Sequence, residues 1–138
     1  MRKIRIAIGS DDGKNIIDDH FGESKSFLIF DVFEDGEHKF VEERENLSPE
    51  EEGKHGSDKK RGSVLSILGD CDAIVAGKMS PNFLKIRDSS KVQPIISKID
   101  DINSFMREFF RNFDDFFILV EKRRNGEYPQ KIPVIESL

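Results

Sequence analysis

The stretch "DAIVAG", residues 72–77, constrains this chain more than any other. Its apolar residues run without alternation between Asp72 and Gly77, so neither face of the segment is suited to water. Such a run reads as a central strand covered on both faces, which calls for helices on each side of a sheet.

The flanking segments supply that sheet and those helices. "KIRIAIGS" alternates Ile4, Ile6 and Ile8 against Arg5 and Ala7, a strand that enters a loop at Gly9. "SFLIFDVF" is apolar on both faces, Asp35-Gly36 marks a tight turn, and "EHKFVEERE" returns as a more solvated strand. Residues 44–62 carry almost no apolar side chains and read as a mobile, charged loop. In "SVLSILGDC", Val64, Leu65, Ile67, Leu68 and Cys71 fall at helical spacing. Ser80 is a helix N-cap with Pro81 at the first helical position. "KVQPII" is a further strand, which Pro94 assigns to a sheet edge.

The strongest periodicity comes last. Ile102, Phe105, Met106, Phe109, Phe110, Phe113, Phe116 and Phe117 recur at three- and four-residue steps, one amphipathic helix whose aromatic stripe packs a core. Its end has two readings. In one, the helix runs through Val120 and the basic turn Lys122–Arg124 to stop at Gly126. In the other, "FFILVEKR" and "KIPVIE" form a hairpin about Asn125-Gly126. The tail prolines fit a central strand poorly and tilt the choice to the helix.

A hairpin followed by right-handed βαβ units gives a three-layer α/β/α fold around a mixed five-stranded sheet, order 3-2-1-4-5, with strand 2 antiparallel. Ligands in such sheets lie beyond the carboxyl ends of the strands where the winding reverses, here between strands 1 and 4. That point sets the loop with Asp11, Asp12 and His20 opposite the loop with Lys78, Met79 and Ser80. Residues 1–117 form the expected domain, and 118–138 a C-terminal extension of unassigned structure.

Composition narrows the function. A net charge of −5 gives no global attraction to nucleic acid or to an anionic membrane. The single cysteine, Cys71, allows neither an intramolecular disulfide nor a CxxC-type metal site. No apolar run approaches the roughly 20 residues of a membrane span, and the N-terminus lacks a signal-type apolar core. The expected location is cytoplasmic.

The chemistry-bearing stretch is "DDHFGES", residues 18–24. His20 can ligate a metal, with Asp18 or Asp19 fixing its tautomer, or it can be a loop histidine without a ligand. Phe21 reads as an anchor packed under the loop, and Gly22 as a residue with positive φ. Lys59, Lys60 and Arg61 precede a helix capped by Ser57 or Asp58. That pattern makes either an anion site or a solvated charge run. His55 is a candidate second ligand, His38 a surface residue and Cys71 a buried inert thiol. Asp11, Asp12, Asp31 and Asp72 raise a two-metal nuclease, but they fall at opposite strand ends and lack a basic track.

"RIAIGSDDGKNIIDDHFGESKSFLIFDV", followed by "GDCDAIVAGKMSPNFL", resembles the dinitrogenase iron–molybdenum cofactor biosynthesis family, across residues 2–113. The most specific element is His20-Phe21-Gly22 after the first strand and its acidic loop. The resemblance implies a ribonuclease H-like motif of order 3-2-1-4-5. It further implies a non-enzymatic carrier of an iron–sulfur or iron–molybdenum-type cluster, held through His20. The family's loop after strand 4 is commonly glycine-rich, whereas here it reads Gly77-Lys78-Met79-Ser80, and only His55-Gly56 stands in the charged loop.

The candidate cofactor-binding residues are thus His20, Phe21, Gly22, Lys78, Ser80 and Asp12, with His20 and His55 as metal ligands. One histidine does not build an iron–sulfur cluster, which normally takes about four thiolate-type ligands. It suits a preassembled cluster or one shared with another chain, so an oligomer stays open. The expected partners are the cluster or its precursor and a donor or acceptor protein of cofactor assembly, with neither nucleic acid nor membrane. The alternative is an interaction or regulatory module on the same fold that binds no metal.

Overall fold

The structure, a computed structural model, describes residues 1–47 and 58–136, with 58–60 as backbone alone. Its sheet has six strands in the order β3-β2-β1-β4-β5-β6. They are β1 (Lys3–Ser10), β2 (Ser26–Phe33), β3 (His38–Glu45), β4 (Ala73–Ala76), β5 (Gln93–Ser97) and β6 (Val134–Ile135). The helices are α1 (Asp58–Ile67), α2 (Pro81–Ser89), α3 (Ile102–Arg111) and α4 (Phe113–Arg124). β2 is antiparallel to both β1 and β3, and the other pairings are parallel. The expected order is therefore present, extended by one strand. The loop expected over 44–62 is shorter at both ends, because β3 runs to Glu45 and α1 starts at Asp58.

The alternating faces of β1 sort the core into two layers. Ile4, Ile6 and Ile8 join Leu28, Val75 and Ile95 beneath the phenylalanines of α3 and α4. Ala7 joins Phe27, Ile29, Ile74 and Ile96 against Val64 of α1, Leu68 just after it, and Phe83 and Ile86 of α2. β4 is buried at all four positions, as its unbroken apolar run demands.

The amino end of β1 is polar. Arg5 faces its cross-strand partner Asp31, with Nε 2.8 Å from Oδ1, and reaches Asp70 at 2.9 Å. Arg44 also bonds Asp70, at 2.6 Å, and the Ile67 carbonyl at 3.0 Å, tying β3 to the end of α1.

The aromatic stripe forms two helices instead of one. Asn112 leaves helical geometry (φ −110, ψ 17), its N–H reaching back to the Phe109 and Phe110 carbonyls. Asparagine suits such a cap. The break lets Phe109 stack on Phe116, with centroids 4.8 Å apart. Residue 117, the expected end of the domain, lies inside α4. The helix reading of the tail holds: Gly126 (φ 87) donates to Arg123 O and Glu127 N to Lys122 O, a Schellman stop.

Pro94 does not mark a sheet edge, since β6 follows β5. The alternation along β5 explains why it is tolerated. Ile96 N donates to Pro133 O, so residues 94 and 96 share the side that faces β6, which begins only at the level of Ile96. The missing N–H of Pro94 thus has no strand opposite it.

Arg123 is fully buried and fastens the tail. Its Nε donates to Gln93 Oε1 (2.8 Å), Nη1 to the carbonyls of Arg87 and Ser90 (2.9 Å each) and Nη2 to that of Pro129 (2.9 Å). Burial pushes its pKa down, but every bond it makes is to a neutral acceptor oriented toward it.

Two predictions follow from these charges. Arg123→Ala leaves four acceptors without their donor, and we expect a loss of about 3 kcal/mol or more in urea unfolding. The guanidiniums of Arg5 and Arg44 hold the Asp31 and Asp70 carboxyls below the usual aspartate value of 3.8. A lowered carboxyl stabilises the fold above its unfolded pKa and loses that contribution as pH falls through its folded one. Unfolding midpoints should therefore drop below about pH 4, and Asp31→Asn should flatten that acid limb while lowering stability at neutral pH.

Candidate functional site

The loop after β1 is built by local hydrogen bonds. Asp12 Oδ1 accepts the N–H groups of Lys14 and Asn15 (2.8 Å each), and Oδ2 accepts Asn15 Nδ2 (2.9 Å). These donors hold the Asp12 carboxyl well below its usual range. The chain then crosses the carboxyl end of the sheet. Ile16 enters the α3 and α4 layer and Ile17 the α1 and α2 layer. Lys14 O accepts Ile102 N and Asn15 bridges to Asp101, so the Asp12 turn sits on the α3 side.

The crossing brings the two expected loops together. Ile17 N donates to Gly9 O (2.8 Å), and Gly77 N donates to Ile17 O (2.9 Å). A side chain at Gly77 would stand 2.6 Å from Ile17 O and 3.0 Å from Asp18 Cα. Glycine is required there by close approach of two backbones.

His20 follows directly. Its backbone N–H donates to the Asp19 carboxylate (2.7 Å), and its carbonyl accepts Glu23 N at the start of a 3-10 turn, Phe21–Glu23. Phe21 is buried below it, stacked on Phe27 at 4.7 Å and near Phe83 at 5.9 Å. Ser24 Oγ donates to Phe21 O (2.7 Å), and Asn46 Nδ2 donates to the carbonyls of Gly22 and Ser24 (2.8 Å each). His20 itself is half-buried, at the rim of a cleft lined also by Glu23, Arg61, Ser80, Asn82 and Phe83. The cleft's open volume is about 20 Å³, the space of a single water, so a larger group meets this rim from outside.

The remaining candidates divide. Ser80 lines the cleft, with its hydroxyl accepting Phe83 N (3.2 Å) as the cap of α2. Lys78 and Met79 are exposed and stand outside the lining. Arg61 reaches from α1 to Asn82 Oδ1 on α2 (3.3 Å). Asp12 stands apart from the cleft: its turn sits on the α3 side, and both its oxygens serve its own loop. Gly22 lines the cleft, but without the positive φ expected of it; among the described glycines only Gly13, Gly36 and Gly126 have one. His55 and Ser57 lie outside the described residues, as do the side chains of Asp58, Lys59 and Lys60.

Cys71 packs in the α1 and α2 layer, where burial, with Asp70 adding, pushes its thiol up to about 12. A thiol so protonated is a poor metal ligand. His38 is exposed on β3, edge-on to Phe30. The four carboxylates of the nuclease reading stay apart: Asp11 and Asp12 at the carboxyl end of β1, Asp31 and Asp72 on Arg5 at its amino end. Among the described residues, no three His, Cys, Asp or Glu side chains stand where they could hold a metal ion.

With one imidazole, the Arg61 guanidinium and the Glu23 carboxylate on the lining, the site offers a single nitrogen donor beside charges of both signs. Residues 2–112 match the family described as dinitrogenase iron-molybdenum cofactor. The chain belongs to this family. The match spans both loops of the cleft and the whole sheet except β6, and it ends at the Asn112 break. No curated protein and no solved structure matches the chain. The family is one of iron–molybdenum cofactor biosynthesis and binding. Among the described residues, no helix is long and apolar enough to cross a membrane.

Sequence reasoning missed Asn46 and Asn82. Neither carries a periodic or motif signal, and both act across more than twenty residues of chain.

Gly77→Ala tests the loop junction. The backbones must part to admit a methyl group, and we expect a loss of about 1–3 kcal/mol with faster amide exchange at residue 77.

Proposed function

We propose that this family member binds and delivers a preassembled metal–sulfur cluster of the iron–molybdenum or iron–sulfur type, with His20 as the presented ligand. The observation that carries this reading is the support under His20. A buried aromatic ring, a carboxylate-bound backbone N–H and two amide hydrogen bonds from Asn46 hold the loop that carries half-exposed His20 at the carboxyl end of the sheet.

The donor set fits cargo better than a resident cofactor. An imidazole supplies one coordination bond, and the cluster's other ligands arrive with it. Arg61 and the amino end of α2 favour the net negative charge that metal–sulfur clusters usually carry, while Glu23 on the same lining opposes it and keeps the hold weak. Delivery requires that the bond be easy to give up, so no catalytic step is assigned to the protein. Lys78, exposed two residues before the Ser80 cap, adds positive charge to that loop. The ribonuclease H-like motif and the division at residue 117 remain parts of this proposal.

The test is anaerobic gel filtration of the wild type and His20→Ala after mixing with isolated iron–molybdenum cofactor, and separately after iron–sulfide reconstitution. Iron should co-elute with the wild type from at least one mixture and fall by about tenfold in His20→Ala, whose melting temperature stays unchanged. Equal loading of both proteins would remove His20 from the site. No loading of the wild type from either mixture would overturn the carrier reading in favour of an interaction module.

A further inference from the structure

A second surface is built mostly from residues after the family-matched stretch, with Glu108 and Asn112 from its end. Between α4 and β6 runs a groove of about 560 Å³, floored by Phe116, Leu119 and Pro133 and flanked by Ile118 and Val134. Ile118 and Val134 are 53% and 50% exposed, high for β-branched aliphatics. We propose that this groove docks an extended segment of a partner protein, one that alternates apolar with basic side chains and adds as a strand alongside β6.

Three features lead to that occupant. Among the described residues, β6 is the last strand of the sheet. Pro133 O and Ile135 O accept from Ile96 N and Lys98 N, so residues 133 and 135 face β5. Val134, between them, turns its own N–H and carbonyl to the open edge, where an added strand finds its partners.

The second feature is the apolar groove beside that edge, which takes alternate side chains of such a strand. The third is charge. Asp115 stands on the α4 wall and Glu136 on the β6 wall. Glu108, shared with Arg111 at 3.2 Å, joins them, and Lys131 is the one cation among the described lining residues. A basic segment is attracted to that rim and an acidic one repelled. Arg123 holds the tail that forms the β6 wall, so the groove is part of the folded chain.

A phage-displayed library of random twelve-residue peptides, panned on the full chain, supplies the probe. The enriched sequences should alternate apolar residues with Lys or Arg. As synthetic peptides they should bind with an affinity that falls as salt is raised. Ile118→Lys, which fills and recharges the groove, and Val134→Pro, which removes the outward N–H, should each weaken binding by about tenfold or more at unchanged melting temperature. His20→Ala should bind as the wild type does, which separates this surface from the cargo site. The proposal is overturned by no enrichment, by acidic winners, or by peptides that bind Ile118→Lys undiminished. It is also overturned if sedimentation shows the wild type self-associating in a way that Ile118→Lys abolishes, which makes a second copy the occupant.

Discussion

Everything in this molecule is arranged around β1. It pairs with β2 along all eight residues, antiparallel, and with β4 only over Ile6–Ile8, parallel. The sheet's winding reverses at that seam, so the chain leaving β1 and the chain leaving β4 emerge side by side and part toward different layers. Side chains on both strands would keep the two loops apart. Gly77 removes the obstacle, and its N–H closes on Ile17 O. The opposite end of the seam is closed by charge, with Arg5 clasping Asp31 and Asp70. Ion pairs thus close the amino end, whereas the carboxyl end is closed by backbone approach and by hydrogen bonds within its loops.

Where one physical period ruled a segment, the sequence was readable. The apolar run at 73–76 could only be a doubly covered strand, and Ile4, Ile6 and Ile8 could only share a face. Both placed the switch point correctly, and with it the approach of the His20 loop to Gly77. Periodicity failed where two elements share one pattern. The phenylalanines of α3 and α4 keep three- and four-residue steps across Asn112, so nothing in their spacing announces a break that depends on how the rings stack on the sheet. β6 is two residues long and gains its place from Arg123, whose guanidinium ties the nearby Pro129 to Gln93, Arg87 and Ser90, residues 30 or more positions away in the chain. Pro94 was read by a sound rule applied to the wrong neighbour, since only half of the outer edge of β5 is occupied.

At the site, the roles of single residues were harder to read than their location. Gly22 and Asp12 both sit in a loop of the right place and composition. Glycine in a loop suggests positive φ, yet a 3-10 turn accommodates it without one. An aspartate near a ligand loop suggests a contact, yet Asp12 serves the backbone of its own turn, which is what short acidic side chains most readily do. Phe21 was legible because burying a phenylalanine contributes about 1.5–3 kcal/mol wherever it stands, and a loop that includes one is tied down by it.

On the carrier reading proposed above, a protein gripping its cargo through one imidazole would face a problem that its cargo site does not solve. A single labile bond beside charges of both signs discriminates little between one anionic cluster and another, or between the intended acceptor and any protein with open coordination sites. Strengthening that bond would improve capture at the expense of release. Selectivity therefore has to come from contacts that do not involve the cluster, on a surface that can be engaged while the cargo moves. The groove between α4 and β6 meets that requirement by position. Most of its lining comes after residue 112, where the family match ends, on a tail that a buried arginine fastens to the sheet. Affinity for a partner can then be set on one side of the molecule without altering the hold on the cluster at the other.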